Sequence, residues 1–195
     1  TPIKSSAASD VYKRQLIDLV QIVLETYKVR DGNIRLYKEN ILLKGFIKEI
    51  IEEMQPIAQK TNNTLEFIQQ RDIRVYADRI QLKRVIKNLI QNAISYGEPN
   101  FPIEVSIGEI PQYIVIKVKD YGAGISKTDI DKIFNKYYSA AKKFRKIGTG
   151  LGLYLALQII KSHNGELSVE SEEGNFTEFT IKLPAVMNIN LHYGE

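Results

Sequence analysis

The hydrophobic residues of this chain repeat with a helical period in four segments and alternate along short strands between them. The helical patterns begin at Tyr12, near Leu43, after Asp78 and at Leu151. Asp78 is expected to be an N-cap, because a short acidic side chain can accept a hydrogen bond from the first turn of a helix. The alternation predicts strands at residues 64–68, 74–76, 103–107, 114–118, 167–169 and 179–183.

The order of these patterns restricts the fold class. Helices and strands mix without a strict βαβ alternation, which predicts an α+β fold with helices on one face of a mostly antiparallel sheet. A turn is expected around Pro111, and a short helix near residues 129–134. Residues 138–149 are small, basic and without a period, so we interpret them as a loop.

Composition excludes several classes of function. The 195 residues are 44% hydrophobic, enough for a packed core, and include no cysteine and only two histidines, His163 and His192. Disulfides and a cysteine nucleophile are therefore excluded, and a multi-histidine metal centre is not expected. With 27 basic and 23 acidic residues the net charge is +4, which does not indicate nucleic-acid binding. No apolar run could span a bilayer and no signal-peptide pattern is present, so we expect a cytoplasmic location.

Two glycine clusters are candidate ligand-binding loops. D-Y-G-A-G-I (120–125) follows a strand pattern, and I-G-T-G-L-G-L (147–153) precedes a helix pattern. Glycines before a helix N-terminus let backbone N–H groups approach an anion, which the helix dipole also favours. Lys127 and Leu153 prevent either cluster from completing G-x-G-x-x-G, and the chain has no P-loop motif. Each cluster is thus either an unusual phosphate loop or an ordinary turn.

Asn88 and Asn92 form a second candidate feature on the third helix. Being four residues apart, they lie on one face of the helix. An amide oxygen suits Mg²⁺, which binds through few protein groups together with phosphate oxygens and water. The alternative is a solvated polar face.

The motifs N-L-I-Q-N-A-I-S-Y-G (88–97), D-Y-G-A-G-I (120–125), I-F-N-K-Y-Y (133–138) and G-T-G-L-G-L (148–153) occur in this order. Together they resemble the N, G1, F and G2 boxes of the catalytic and ATP-binding domain of sensor histidine kinases. The resemblance extends over residues 12–184 and implies the Bergerat α/β sandwich shared with the gyrase, Hsp90 and MutL ATPases.

The resemblance implies a role for each box. Asn92 is expected to bind Mg²⁺, Asn88 to lie near the phosphates, and Asp120 to accept a hydrogen bond from the adenine amino group. A lid over residues 138–147 would carry four cations that either neutralise the γ-phosphate or form a solvated loop, and Phe134 would pack beneath it. The expected ATP-binding residues are Asn88, Asn92, Tyr96, Asp120, Gly122, Gly124, Ile125, Phe134, Lys143, Gly148, Thr149, Gly150, Leu151 and Gly152.

The resemblance also divides the chain. Residues 1–11 are interpreted as a junction or tail, 12–36 as the second helix of a dimerisation hairpin, 37–186 as the catalytic domain and 187–195 as a disordered tail. Thr1-Pro2-Ile3 resembles the end of the family's H box, which places the phosphoaccepting histidine before Thr1. His163, at a helix end, is expected to cap the last carbonyl groups rather than to accept phosphate.

The function so implied is transfer of the ATP γ-phosphoryl group to a hairpin histidine, with relay to the receiver domain of a response regulator. A homodimer would form through the hairpin, nucleic acid is not an expected partner, and membrane contact would come only from sensor segments.

Ser95 and Ser139 replace a lysine and an arginine frequent in the family. They leave open a nucleotide-binding or scaffold domain without kinase activity. A serine-directed anti-sigma kinase and a gyrase-like ATPase are further alternatives on the same fold.

Overall fold

The computed structural model describes residues 34–68, 71–138 and 150–185. Residues 12–33 of the expected hairpin segment (12–36) lie outside these ranges, as do the junction before it, the loop from Ser139 to Thr149 and the tail. The described elements are β1 (Lys38–Leu42), α1 (Leu43–Gln59), β2 (Thr64–Ile68), β3 (Arg74–Asp78), α2 (Arg79–Tyr96), β4 (Pro102–Ile110), β5 (Tyr113–Asp120), α3 (Gly152–Ser162), β6 (Glu166–Glu172) and β7 (Phe176–Pro184).

Five strands form one mixed sheet in the order β2-β4-β5-β7-β6. Only the β2–β4 pair is parallel, and the chain crosses between these strands through β3 and α2, because parallel neighbours cannot be joined by a tight turn. The other pairs are antiparallel. Strands β1 and β3 form a separate antiparallel pair. The predicted α+β class with a mostly antiparallel mixed sheet is confirmed.

One face of the sheet and the three helices enclose the hydrophobic core. The register aligns Val105 with Val118 and Val118 with Phe179, so buried side chains form rows across three strands. The expected helices on one face of the sheet are confirmed, since each helix contributes its apolar stripe to this core. The fully or nearly fully buried helix residues include Leu43, Phe46, Ile47, Ile50, Met54, Leu82, Val85, Ile86, Leu89, Ile90, Leu155, Ala156, Ile159 and Ile160.

Helix α2 begins where the sequence predicted. The Asp78 carboxylate Oδ1 accepts a hydrogen bond from the Gln81 N–H at 3.0 Å, satisfying one of the N-terminal donors that a helix leaves unpaired. At the other end, the Gly97 N–H donates to the Ala93 carbonyl at 2.7 Å. Since the strand β3 leads directly into this helix, the N-cap fixes the start of the element that carries both candidate asparagines.

Two predictions about local structure need correction. The short helix expected at residues 129–134 is wrong: successive turns form there, with the Ile130 N–H bonded to the Ser126 carbonyl and the Lys132 N–H to the Asp129 carbonyl. So short a segment gains few helical hydrogen bonds against the cost of nucleation, and contacts with the core decide its shape. The strand β1 was missed because only Ile41 in its sequence KENIL is buried, so no alternation is visible.

No helix in the described parts of the chain is long and apolar enough to cross a membrane.

Candidate functional site

Asp120 ends strand β5 on the core face of the sheet and is only 3% exposed. Its row across the sheet is polar, because Asp120 pairs with Thr177 and Thr177 with Ser171. The buried oxygen Oδ1 has no hydrogen-bond partner among the described residues. Burial raises the pKa of the carboxyl from 3.8 to about 7. A buried acceptor left without a donor is costly for the fold alone, which indicates a site for a ligand that donates a hydrogen bond.

Two glycines bring the end of α2 against Asp120. Gly97 and Gly122 form an isolated antiparallel bridge. A Cβ atom at Gly122 would lie 2.2 Å from the Tyr96 carbonyl oxygen, so no larger residue fits without a backbone shift. A Cβ atom at Gly97 would lie 3.5 Å from the Asp120 Cβ, in ordinary contact. The buried carboxylate therefore lies beside the C-terminal turn of α2.

The rest of the first glycine cluster is fixed to strand β6. Gly124 has a φ of +60°, a backbone conformation that favours glycine, and a Cβ atom there would lie 2.1 Å from the Glu172 carbonyl oxygen. The Ile125 N–H donates to the Ser171 Oγ at 2.9 Å. Ser171 also donates to the Phe176 carbonyl at 2.6 Å. The loop after Asp120 is thus held in one conformation by close packing and side-chain hydrogen bonds.

The second glycine cluster leads into α3, which begins directly against Asn88. A Cβ atom at Gly152 would lie 2.4 Å from the Asn88 Oδ1. The Asn88 Nδ2 is buried and has no hydrogen-bond partner among the described residues. Asn88 and Gly152 line a cavity of about 70 Å³ between α2 and α3. The N-cap residue of α3, Leu151, makes no side-chain cap hydrogen bond, and the first turn of the helix and the Asn88 amide lie together at a position suited to an anion.

Gly150, just before α3, is hydrogen-bonded to Tyr137, which lies shortly after the turns at residues 129–134. The Tyr137 N–H donates to the Gly150 carbonyl at 2.9 Å, and Gly150 has a φ of +65°. Phe134, half-buried, packs edge-on against Phe179 of β7 at a ring-centroid distance of 6.4 Å. Both ends of the loop between residues 138 and 150 are therefore anchored next to the sheet.

Asn92 and Tyr96 follow Asn88 at intervals of one helical turn and are half-buried. Burial raises the pKa of the Tyr96 hydroxyl. Tyr96, Gly97 and Gly122 line a pocket of about 580 Å³ at the end of α2. The described residues hold no group of three or more His, Cys, Asp or Glu side chains able to bind a metal ion. A cation here would depend on amide oxygen and on the oxygens of its ligand.

The structure gathers most of the described site residues into two groups. Asn88, Gly152 and buried Leu151 lie at the α2–α3 contact, while Asp120, Gly122, Gly124 and Ile125 lie at the end of β5. Lys143, Gly148 and Thr149 lie outside the described residues, as do residues 139–147 of the lid expected over Phe134.

Sequence reasoning missed the polar row that completes the site. Ser171 and Thr177 interrupt the apolar alternation of β6 and β7, at positions where Leu167, Val169 and Phe179 would predict another hydrophobic residue. A polar residue at a core-facing strand position was the available signal.

Comparison with known proteins finds a family model and relatives that all include histidine kinases. The sequence profile of the family described as "Histidine kinase-, DNA gyrase B-, and HSP90-like ATPase" matches residues 77–187. The sensor histidine kinase WalK of Bacillus subtilis is 32% identical over 176 residues, covering 87% of this chain and 28% of that protein. A sensor protein kinase WalK of Staphylococcus aureus is 33% identical over 174 residues, covering 87% of this chain and 42% of that protein. The chain thus spans less than half the length of these relatives.

Solved structures show the same fold. The catalytic domain of histidine kinase ThkA matches with a TM-score of 0.68 and 28% identity, covering 77% of this chain and 97% of that chain. The Acinetobacter baumannii histidine kinase AdeS matches with a TM-score of 0.75 and 24% identity, covering 89% of this chain and 80% of that chain.

Proposed function

The chain belongs to the family of histidine kinase-, DNA gyrase B- and HSP90-like ATPases, and we propose that it is the ATP-binding catalytic part of a two-component sensor histidine kinase. The observation that carries the proposal is the buried Asp120 Oδ1 beside the Gly97–Gly122 bridge, which has no hydrogen-bond partner among the described residues.

Asp120 would select the base. Its Oδ1 would accept a hydrogen bond from the exocyclic amino group of adenine, which supplies a donor that the described residues do not offer this buried atom. Guanine presents a carbonyl oxygen at the corresponding position, and an oxygen against an ionised carboxylate leaves two acceptors unpaired. The site should therefore prefer ATP to GTP.

The N-terminus of α3 and the polar face of α2 would bind the triphosphate. The Asn88 Nδ2 would donate to a phosphate oxygen, and the backbone N–H groups in the first turn of α3 would do the same. Asn92, one turn further along α2, would hold Mg²⁺ through its amide oxygen. Magnesium in such sites neutralises charge that develops on the transferred phosphoryl group.

The phosphoryl acceptor would be a histidine on a dimerisation hairpin, from which a response regulator receiver domain takes the phosphate. Phosphoryl transfer needs little covalent chemistry from the protein, so this chain would contribute position and charge stabilisation. His163 is not the acceptor, because both ring nitrogens are hydrogen-bonded in a buried position. A homodimer through the hairpin and a cytoplasmic site of action follow from the same proposal.

A domain that binds nucleotide without transferring phosphate is a second candidate. Ser95 occupies a half-buried position on α2, three residues after Asn92, where a lysine would add phosphate-facing charge. Its neutral side chain weakens the case for catalysis but leaves the case for adenine recognition intact.

Phosphotransfer in trans separates the two candidates. The chain is mixed with γ-labelled ATP, Mg²⁺ and a separate hairpin that carries the phosphoaccepting histidine of a related kinase. We expect acid-labile label on the hairpin, none on the chain itself, and none anywhere with Asn92→Ala. Gln91→Ala, an exposed neighbour on the same helix, is the matched control and should transfer as wild type does. Binding of ATP without any labelled hairpin would favour the second candidate, and equal transfer by Asn92→Ala would remove Asn92 from the metal site.

A further inference from the structure

His163 links the two helices that form the phosphate end of the site. It is 3% exposed and follows the last residue of α3, where it is the C-cap. Its Nδ1 lies 2.8 Å from the Ile159 carbonyl oxygen in the last turn of α3. Its Nε2 lies 2.9 Å from the backbone nitrogen of Asp78, the N-cap of α2. The imidazole ring therefore bridges the end of α3 and the start of α2.

The two partners define the tautomer of the ring. A carbonyl oxygen only accepts and a backbone N–H only donates, so Nδ1 carries the hydrogen and Nε2 accepts from Asp78. Burial lowers the pKa of His163, and the nearby Lys38 lowers it further, whereas the Ile159 carbonyl and the Asp78 carboxylate oppose this. The neutral ring fits both hydrogen bonds.

Asp78 is itself held from three sides. Besides the bond from its own N–H to His163, its Oδ1 accepts from the Gln81 N–H at 3.0 Å and its Oδ2 from the Tyr37 N–H at 2.8 Å. The residue is 5% exposed. Because these three hydrogen bonds hold Asp78 in place, the bond to His163 fixes the end of α3 relative to the start of α2.

The two helices meet at both ends of α3. At its C-terminus His163 bonds Asp78, and at its N-terminus Gly152 lies against Asn88, so α3 runs antiparallel to α2. At about 1.5 Å per residue, the 152–163 segment measures about 16 Å and the 78–88 segment about 15 Å. The two lengths agree, which is consistent with contacts at both ends of α3. Because a helix moves as one unit, a shift of His163 along α2 moves Gly152 relative to Asn88 by a similar amount.

We propose that His163 is a positioning residue of the nucleotide site: its hydrogen bond to Asp78 sets the register of α3 along α2 and thereby places the start of α3 at Asn88. The inference rests on the proposed nucleotide-binding function. His163 touches neither nucleotide nor acceptor and acts through the helix that it ends. Without the Asp78 bond, only the apolar packing of α3 sets its position along α2, and a small displacement of the phosphate-binding groups is enough to weaken binding.

A pair of variants that differ by one methylene group tests this. In His163→Asn the amide can replace Nδ1 at the Ile159 carbonyl but does not reach Asp78, whereas in His163→Gln the longer side chain reaches the position of Nε2 and can accept from the Asp78 N–H. Affinity for Mg-ATP is measured by calorimetry on the full chain, at a temperature where circular dichroism shows each protein folded. We expect about fivefold weaker binding with His163→Asn and near wild-type binding with His163→Gln.

Met54→Ala is a large-to-small change on the buried face of α1. It controls for general loss of stability and should leave ATP affinity unchanged. Wild-type affinity in a folded His163→Asn would overturn the inference, as would His163→Gln binding as weakly as His163→Asn. If the wild type itself binds no ATP, the proposed function fails and the inference with it, which is a distinct result.

Should His163→Asn not fold, amide hydrogen exchange of the wild type decides. Coupling between sites is reciprocal, so ATP bound at the start of α3 should slow exchange of the Asp78 N–H by about threefold or more. Unchanged exchange at Asp78, with slower exchange near Gly152, would overturn the inference.

Discussion

At the residue scale, the ionised carboxylate of Asp120 lowers the stability of the ligand-free fold but favours binding of the ligand. Burial raises the pKa of its carboxyl to about 7, so the folded protein holds this proton more tightly than the unfolded chain does. The stabilising contribution of the protonated form is complete below pH 3.8 and is lost as the pH rises through 7. The ionised form, which binds an amino donor best, is therefore the form that the ligand-free fold tolerates least.

Asp120→Asn should accordingly stabilise the ligand-free protein in a pH-dependent way. The amide does not titrate, so the variant gains stability relative to wild type between pH 5 and pH 8, by about 2–3 kcal/mol. Urea denaturation at both pH values measures this difference, and contributions from other groups such as His163 cancel because both proteins share them. A stability difference that is the same at pH 5 and pH 8 would contradict the burial of an ionisable Asp120.

At the scale of elements, the contact between α2 and α3 depends on a missing side chain. A Cβ atom at Gly152 would lie 2.4 Å from the Asn88 Oδ1, and the Asn88 amide can turn away to relieve the clash. Gly152→Ala should therefore change the free energy of unfolding by less than about 1 kcal/mol, yet weaken Mg-ATP binding about tenfold, because Asn88 no longer faces the phosphates.

Gly45→Ala on α1 is the matched control, since nothing lies within 4 Å of the added atom. That change should stabilise the protein by about 0.5–1 kcal/mol through helix propensity and leave nucleotide affinity unaltered. Urea denaturation and calorimetry on both variants make the comparison. Wild-type affinity in Gly152→Ala would show that the start of α3 does not bind phosphate.

Elements differ in how far their sequences predict them. Helix α2 was predicted from its N-cap to its buried stripe, because Asp78 and the spacing of its apolar residues act locally. Strand β1 was not, since it depends on pairing with β3, which is distant in sequence. The turns at residues 129–134 escaped prediction for the same reason: Phe134 packs on Phe179, and this contact, not local preference, decides the conformation.

At the scale of the whole molecule, the described parts of motifs far apart in sequence come into contact: the end of α2 meets the loop after β5, and the middle of α2 meets the start of α3. The order of the motifs was enough to predict the family, whereas the roles of the individual site residues stay predictions. The sequence alone did not reveal that Asp120 is buried with no partner for its Oδ1 in the described part of the chain, nor did it reveal the His163–Asp78 link, since both depend on how distant elements pack.

The most direct test of adenine recognition by Asp120 is a calorimetric titration of the chain at pH 8 with Mg-ATP and Mg-GTP, repeated on Asp120→Asn. We predict that ATP binds and that GTP binds at least about tenfold more weakly, because guanine presents a carbonyl oxygen, an acceptor, at the position where adenine presents its amino donor to the carboxylate. Asp120→Asn should lose about 1–3 kcal/mol of ATP binding free energy, since a charged acceptor is replaced by an amide. Equal affinities for ATP and GTP, or an Asp120→Asn variant that binds ATP as tightly as wild type, would contradict the proposed site.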